Sequence, residues 1–128
     1  ILKTEIFESV YLENIGGEKF QIKKLPSQAQ WFPINSSVIH DFNSDGYLDV
    51  IVAGNDHGIR PELGRMDAGF GLLLQGDGMG NFITIPGIES GINIPGETKN
   101  MQLVKIAGKK YIIIVKNNEA AQVLLMKE

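Results

Sequence analysis

The chain repeats itself at an interval of about 62 residues, and this constrains the fold more than any single motif does. Val10–Phe20, VYLENIGGEKF, aligns without a gap on Leu72–Phe82, LLLQGDGMGNF, at an offset of 62. Leu48–Asn55, LDVIVAGN, aligns on Tyr111–Asn118, YIIIVKNN, at an offset of 63. The first pair reads as an apolar strand, a glycine-rich turn and a strand opening with phenylalanine; the second reads as a strand running into asparagine. A unit that recurs in this way is one supersecondary element, which buries its apolar faces only by stacking on its neighbours.

The spacing of apolar stretches says what that element is. Nine of them punctuate the chain: Phe7–Asn14, Lys19–Leu25, Ser37–Asp41, Leu48–Gly54, Phe70–Gln75, Phe82–Pro86, Met101–Ile106, Lys110–Lys116 and Ala121–Met126. Each has strand length and is rich in Val, Ile, Leu, Phe or Tyr, and many of the 15 glycines fall between them. No segment holds helical periodicity for three turns. The expectation is an all-β chain of antiparallel four-stranded meander blades, forming a partial β-propeller. Residues 1–26 supply the end of one blade, 35–86 a full blade and 98–128 three strands of the next. Two, four and three strands do not close a ring, so the chain reads as an arc of a larger propeller, a fragment with exposed blade faces and a tendency to self-associate.

Chemistry concentrates in one loop, Asp41-Phe42-Asn43-Ser44-Asp45-Gly46-Tyr47-Leu48-Asp49. Oxygen-bearing side chains stand at its positions 1, 3, 5 and 9, with glycine at 6. Calcium takes six to eight hard oxygen ligands, and alternate positions of a tight loop can all point inward. Asp41, Asn43, Asp45 and Asp49 are therefore candidate ligands, with the Tyr47 carbonyl as a fifth. An EF-hand requires glutamate at position 12, where this chain has Val52 inside a strand. The site is thus a loop joining two strands. The competing reading is an Asp/Asn/Gly turn that only caps a hairpin. Three clustered carboxylates without a cation repel one another, which favours the metal. Magnesium, which demands a rigid octahedron and keeps its waters, fits less well than calcium.

FNSDGYLDVIVAGN resembles an FG-GAP or VCBS repeat, the unit of integrin-type β-propellers. GRMDAGFGLLLQGDGMGNF and YLENIGGEKF resemble further blades of that family in large exported Bacteroidetes proteins. The likeness covers most of the chain, and its specific part is the Asp-rich loop. It implies calcium between the first two strands of a blade, at Asp41, Asn43, Asp45 and Asp49. It also implies ligand or protein binding outside the cell, in an extracellular, cell-surface or periplasmic setting. The corresponding turn of the next unit, Ala107-Gly108-Lys109-Lys110, has no carboxylates and is expected to hold no metal.

Other features bound the function. The net charge is −3 with no basic block, which argues against nucleic acid. The apolar runs are far too short to span a bilayer as helices. The absence of cysteine excludes disulfides and thiolate metal sites. No signal peptide is visible, and a first residue of Ile reads as a processed or trimmed piece of a longer protein. No nucleophile–base pair or converging carboxylate pair is evident, so no catalytic residue is assigned. Three long connections, Pro26–Ser36, Asp56–Gly69 and Gly87–Asn100, are expected at the end of the meander opposite the metal loop. They carry the candidate ligand-binding residues Trp31, His57, Arg60, Glu62 and Arg65. The competing readings are charged side chains that stitch a loop and a Trp31-Phe32 pair that plugs the space between blades. The functional expectation is a calcium-stabilised binding or scaffolding module for a protein or carbohydrate ligand. The alternatives are an accessory or catalytic fragment of a carbohydrate-active enzyme and a spacer with no ligand of its own.

Overall fold

In a computed structural model that describes residues 3–58, 64 and 66–127, the chain forms three antiparallel sheets. The first is the hairpin β1 (Val10–Gly16) and β2 (Lys19–Lys24). The central sheet is a meander of β3 (Ile34–His40), β4 (Asp49–Gly54), β5 (Leu72–Gly76) and β6 (Phe82–Ile85), in that order. The third sheet is β7 (Thr98–Ile106), β8 (Lys109–Lys116) and β9 (Gln122–Leu125). The nine expected strands and the order two, four, three are all present, and among the described residues the sheets do not close into a ring. Two single turns of helix, a 3-10 turn at Ser27–Gln30 and α1 at Gly87–Ser90, lie in the connections between sheets.

Side chains alternate between the two faces of each strand, and cross-strand register carries that alternation across a sheet. One face of the central sheet presents Val38, Ile51, Ala53 and Leu73 to Met101, Leu103, Ile112, Ile114 and Leu124 of the third sheet. Its other face presents Val50, Val52, Leu74 and Phe82 towards the first sheet, with Leu25, Phe32 and Ile34 completing that layer. Tyr11 meets Phe82 edge-on across this interface, ring centroids 5.6 Å apart. The first sheet has only two strands, so part of this face lies open. A cleft of about 760 Å³ remains there, walled by Ile34, Ile39, Val50 and Val52 and flanked by Val10 and Tyr11 of β1.

The central and third sheets share an irregularity. The β3–β4 register slips between Ile34 and Ser36, and the β7–β8 register slips between Thr98 and Asn100. Immediately beyond each bulge the chain closes in the same way: Asn55 N–H donates to the Pro33 carbonyl at 3.1 Å, and Asn117 N–H to the Glu97 carbonyl at 2.9 Å. These pairings set Gly54 against Lys116 and Ala53 against Val115, an offset of 62 along β4 and β8. The 63-residue alignment of these strands is therefore one residue out. In a strand a slip of one turns every side chain to the wrong face. At 62, Val50 and Val52 match Ile112 and Ile114, each pair facing the sheet before it.

Candidate functional site

The loop Asp41–Asp49 joins β3 to β4, as expected, and its carboxylates and amide fold back on its own backbone. Asp41 accepts from Asp45 N–H at 3.1 Å and from Gly46 N–H at 2.9 Å. Asn43 Oδ1 accepts from Asp45 N–H at 3.1 Å, and Asp45 Oδ1 from Tyr47 N–H at 2.8 Å. Aspartate and asparagine favour such local bonds, which bend the chain without help from distant residues. Gly46, at φ 91°, takes the left-handed turn that a bulkier residue resists.

Asp49 behaves differently. It sits at the start of β4, fully buried, and its two oxygens bridge two turns. Oδ2 accepts from Phe42 N–H at 3.0 Å, and Oδ1 from Gly76 N–H at the end of β5, also at 3.0 Å. A second link from β5 is Gln75 Nε2, which donates to Asp45 Oδ2 at 3.3 Å. The Tyr47 ring lies over Gly78, where a β-carbon would come within 2.3 Å of it. The loop and the β5–β6 turn thus share one end of the sheet and touch. In that second turn Asp77 accepts from Met79 N–H, Asn81 N–H and the Asn81 amide, which makes it a turn residue.

Electrostatically the loop is unbalanced. Among the described residues, the ion pairs are Lys23–Glu13, Lys24–Glu8, His57–Asp67 and Lys99–Glu97, none of which involves Asp41, Asp45 or Asp49. One residue before the loop, His40 Nε2 lies 3.0 Å from the Lys110 ammonium. The Tyr47 N–H, the Asn43 amide and the Gln75 amide hold the Asp45 carboxyl below the usual carboxylate range. Among the described residues no three carboxylate or imidazole groups converge into a ready-made cage. The donor set nevertheless fits calcium: Asp41, Asn43, Asp45, Asp49 and the Tyr47 carbonyl offer only hard oxygens. An oxygen that accepts one N–H also keeps a further lone pair.

The three long connections meet at the opposite end of the sheet, around Asn55. This residue is 1% exposed and has φ 75°. Its Nδ2 donates to the carbonyls of Gly69 at 2.6 Å and Gly96 at 3.0 Å, while Oδ1 accepts from Gly69 N–H at 2.9 Å. Asn35 Nδ2 donates in turn to the Asn55 carbonyl at 2.8 Å and the Thr98 carbonyl at 3.0 Å. Gly69 packs so closely on the Phe32 ring that a β-carbon would lie 2.5 Å from it. The sequence singled out neither Asn55 nor Glu97, the second buried polar group here. Glu97 accepts from the Lys99 ammonium and, at 2.8 Å, from the Asn117 amide.

The candidate ligand residues separate. Phe32 is buried in the core between the first two sheets, whereas Trp31 is 64% exposed. His57 Nε2 lies 3.0 Å from Asp67 Oδ1, in a loop whose ends are tied by the Asp56–Met66 bridge. Arg60, Glu62 and Arg65 lie outside the described residues.

Glu97 gives this end a pH dependence. Lys99 first, then Asn117, lower its pKa from the ordinary 4.5. A carboxylate with a depressed folded-state pKa contributes stability that is complete above its unfolded value and is lost as pH falls through its folded one. Wild type should therefore be more stable than Glu97→Gln at pH 7 and lose that advantage between pH 4.5 and the lower folded-state value. Urea midpoints across this range check it; parallel curves for the two proteins would remove Glu97 from the account.

No protein family, curated protein or solved structure matches the chain.

Proposed function

We propose that the chain is a calcium-stabilised binding or scaffolding module, an arc of a larger β-propeller of the FG-GAP/VCBS kind that works outside the cell. The observation that carries this reading is the Asp41–Asp49 loop. It gathers three aspartates and an asparagine in nine residues, and no described lysine or arginine forms an ion pair with them. A divalent cation supplies the missing positive charge. The recurrence of one bulge and one closing hydrogen bond in two successive sheets supports the repeat reading. Calcium is structural here: it fixes the β3–β4 turn, while the ligand, a protein surface or a glycan, sits on the far end beside exposed Trp31 and half-buried His57.

Calorimetry on chelator-stripped protein tests the first half. Calcium should bind at one site. At a hundredfold excess over its Kd it should add about 2.7 kcal/mol to stability, because it binds the folded state alone. Asp45→Ala should abolish most of that increment. The second half is tested on a glycan array and, for any ligand found, with Trp31→Ala. Trp31→Ala should weaken ligand binding with little change in melting temperature, while Asp45→Ala should do the reverse. No calcium heat, or loss of ligand binding from Asp45→Ala at unchanged stability, overturns the assignment.

A further inference from the structure

The β5–β6 turn, residues 77–81, stands between the Asp-rich loop and the first sheet and touches both. On one side, Tyr11 and Lys23 are opposite each other in the β1–β2 register, so they share a face of that hairpin. Lys23 Nζ donates to the Met79 carbonyl at 2.5 Å. Among the described residues this is the one hydrogen bond from the hairpin to the central sheet or its turns. A β-carbon on Gly80 would come within 2.8 Å of Lys23 Nζ and 2.9 Å of the Tyr11 ring. On the other side, the Tyr47 ring covers Gly78, and a β-carbon on Gly76 would lie 2.2 Å from the Leu48 carbonyl. Asp49 also accepts the Gly76 N–H at 3.0 Å. Between these supports the turn is braced from within. The Asp77 carboxylate holds the N–H groups of Met79 and Asn81 and the Asn81 amide, and Asp77 N–H donates to the Asn81 carbonyl at 3.2 Å.

A rigid element in contact with two others can pass the state of one to the other. We propose that the β5–β6 turn does so here: calcium, by ordering Asp41–Asp49, seats the β1–β2 hairpin on the central sheet, and its removal loosens that seat. The proposal rests on the calcium reading of the loop. Without a cation the three carboxylates repel one another and the loop loosens. The Tyr47 ring then no longer holds Gly78, and the turn loses one of its two supports. Lys23 and Tyr11 lose their fixed partners with it. An isolated two-stranded hairpin is marginally stable in water, so the order of β1–β2 depends on this seat. Calcium thus regulates the joint between successive sheets, beyond the one loop that binds it.

Hydrogen exchange read by mass spectrometry, with calcium and with chelator, follows the seat through the amides of β1 and β2. Calorimetry on the same samples follows calcium binding. In the wild type, calcium should slow exchange of the hairpin severalfold, together with that of β3 and β4. Lys23→Met keeps the apolar stem, removes the ammonium and touches no proposed calcium ligand. It should still bind calcium and still show slowing at β3 and β4, while the hairpin loses most of its response. Tyr11→Leu, which takes the ring away from Gly80, should do the same from the other strand. Calcium heat with unchanged hairpin exchange overturns the coupling and leaves the calcium reading standing. A full hairpin response in both variants does likewise. Absence of calcium heat in the wild type overturns both.

Discussion

Replacing Asn55 by alanine is expected to destabilise the chain by about 4 kcal/mol, the largest effect of any single polar substitution here. The side chain touches no solvent, yet it satisfies Gly69 N–H, the Gly69 carbonyl and the Gly96 carbonyl at once. Leaving a buried donor or acceptor unpaired costs about 1–3 kcal/mol each. Alanine must also hold φ near 75°, a conformation that asparagine tolerates and alanine resists by about 1–2 kcal/mol. Asn55→Asp separates the two contributions. Aspartate accepts the left-handed backbone and keeps the Oδ1 acceptor, but sets a carboxylate oxygen against two carbonyls. Chemical denaturation of the three proteins should place both variants far below wild type. If Asn55→Ala loses less than about 1 kcal/mol, below the cost of even one orphaned buried group, the three connections are not held through this amide.

The second large effect is expected at Asp49, and it distinguishes a strut from a metal ligand. In calcium-free buffer Asp49→Ala should cost about 3 kcal/mol. It removes two charge-assisted bonds, to Phe42 N–H and Gly76 N–H, and the latter lies in a buried contact. Asp45→Ala should cost less than about 1 kcal/mol under the same conditions, since its bonds lie in an exposed turn where water replaces them. With saturating calcium the difference between the variants should persist while both lose the stabilisation by metal. Thermal melts with and without chelator, on wild type and the two variants, give all the required comparisons. Equal costs without calcium would mean that Asp49 does not brace the sheet.

Sequence patterning located the strands because each is short, apolar and bounded by glycine, asparagine or aspartate. It misplaced their starts for identifiable reasons. β3 begins at Ile34 rather than Ser37, and β7 at Thr98 rather than Met101. In both, a bulge interrupts the two-residue alternation that marks a strand. Matching apolar letters along β4 and β8 gave an offset of 63 where pairing gives 62, because Ile112–Val115 is apolar on both faces and a slip of one leaves the letters matched. Phe7 reads as part of β1 but is exposed and unpaired, because propensity without a neighbouring strand is not enough. The Asp-rich loop was legible because its bonds are local, from each side chain to backbone a few residues on. Asn55 and Glu97 were not. An asparagine after a strand reads as a turn, and a glutamate in a connection reads as a solvated charge. What buries them is the meeting of three connections that are far apart in sequence, and no local pattern records that. Repetition held the one available hint, since Asn55 and Asn117 close their sheets with the same backbone bond.

The meander connectivity bears on how the chain comes together in time. Within each sheet every strand pairs only with its neighbour in sequence, so no strand must wait for a distant partner. Ordering can therefore spread sheet by sheet, with loop closure between neighbours as the main entropic barrier. The sheets should then also come apart one at a time. The β1–β2 hairpin has two strands and one covered face, so its amides should exchange with solvent through openings of lower free energy than those of β4, which is paired on both edges and covered on both faces.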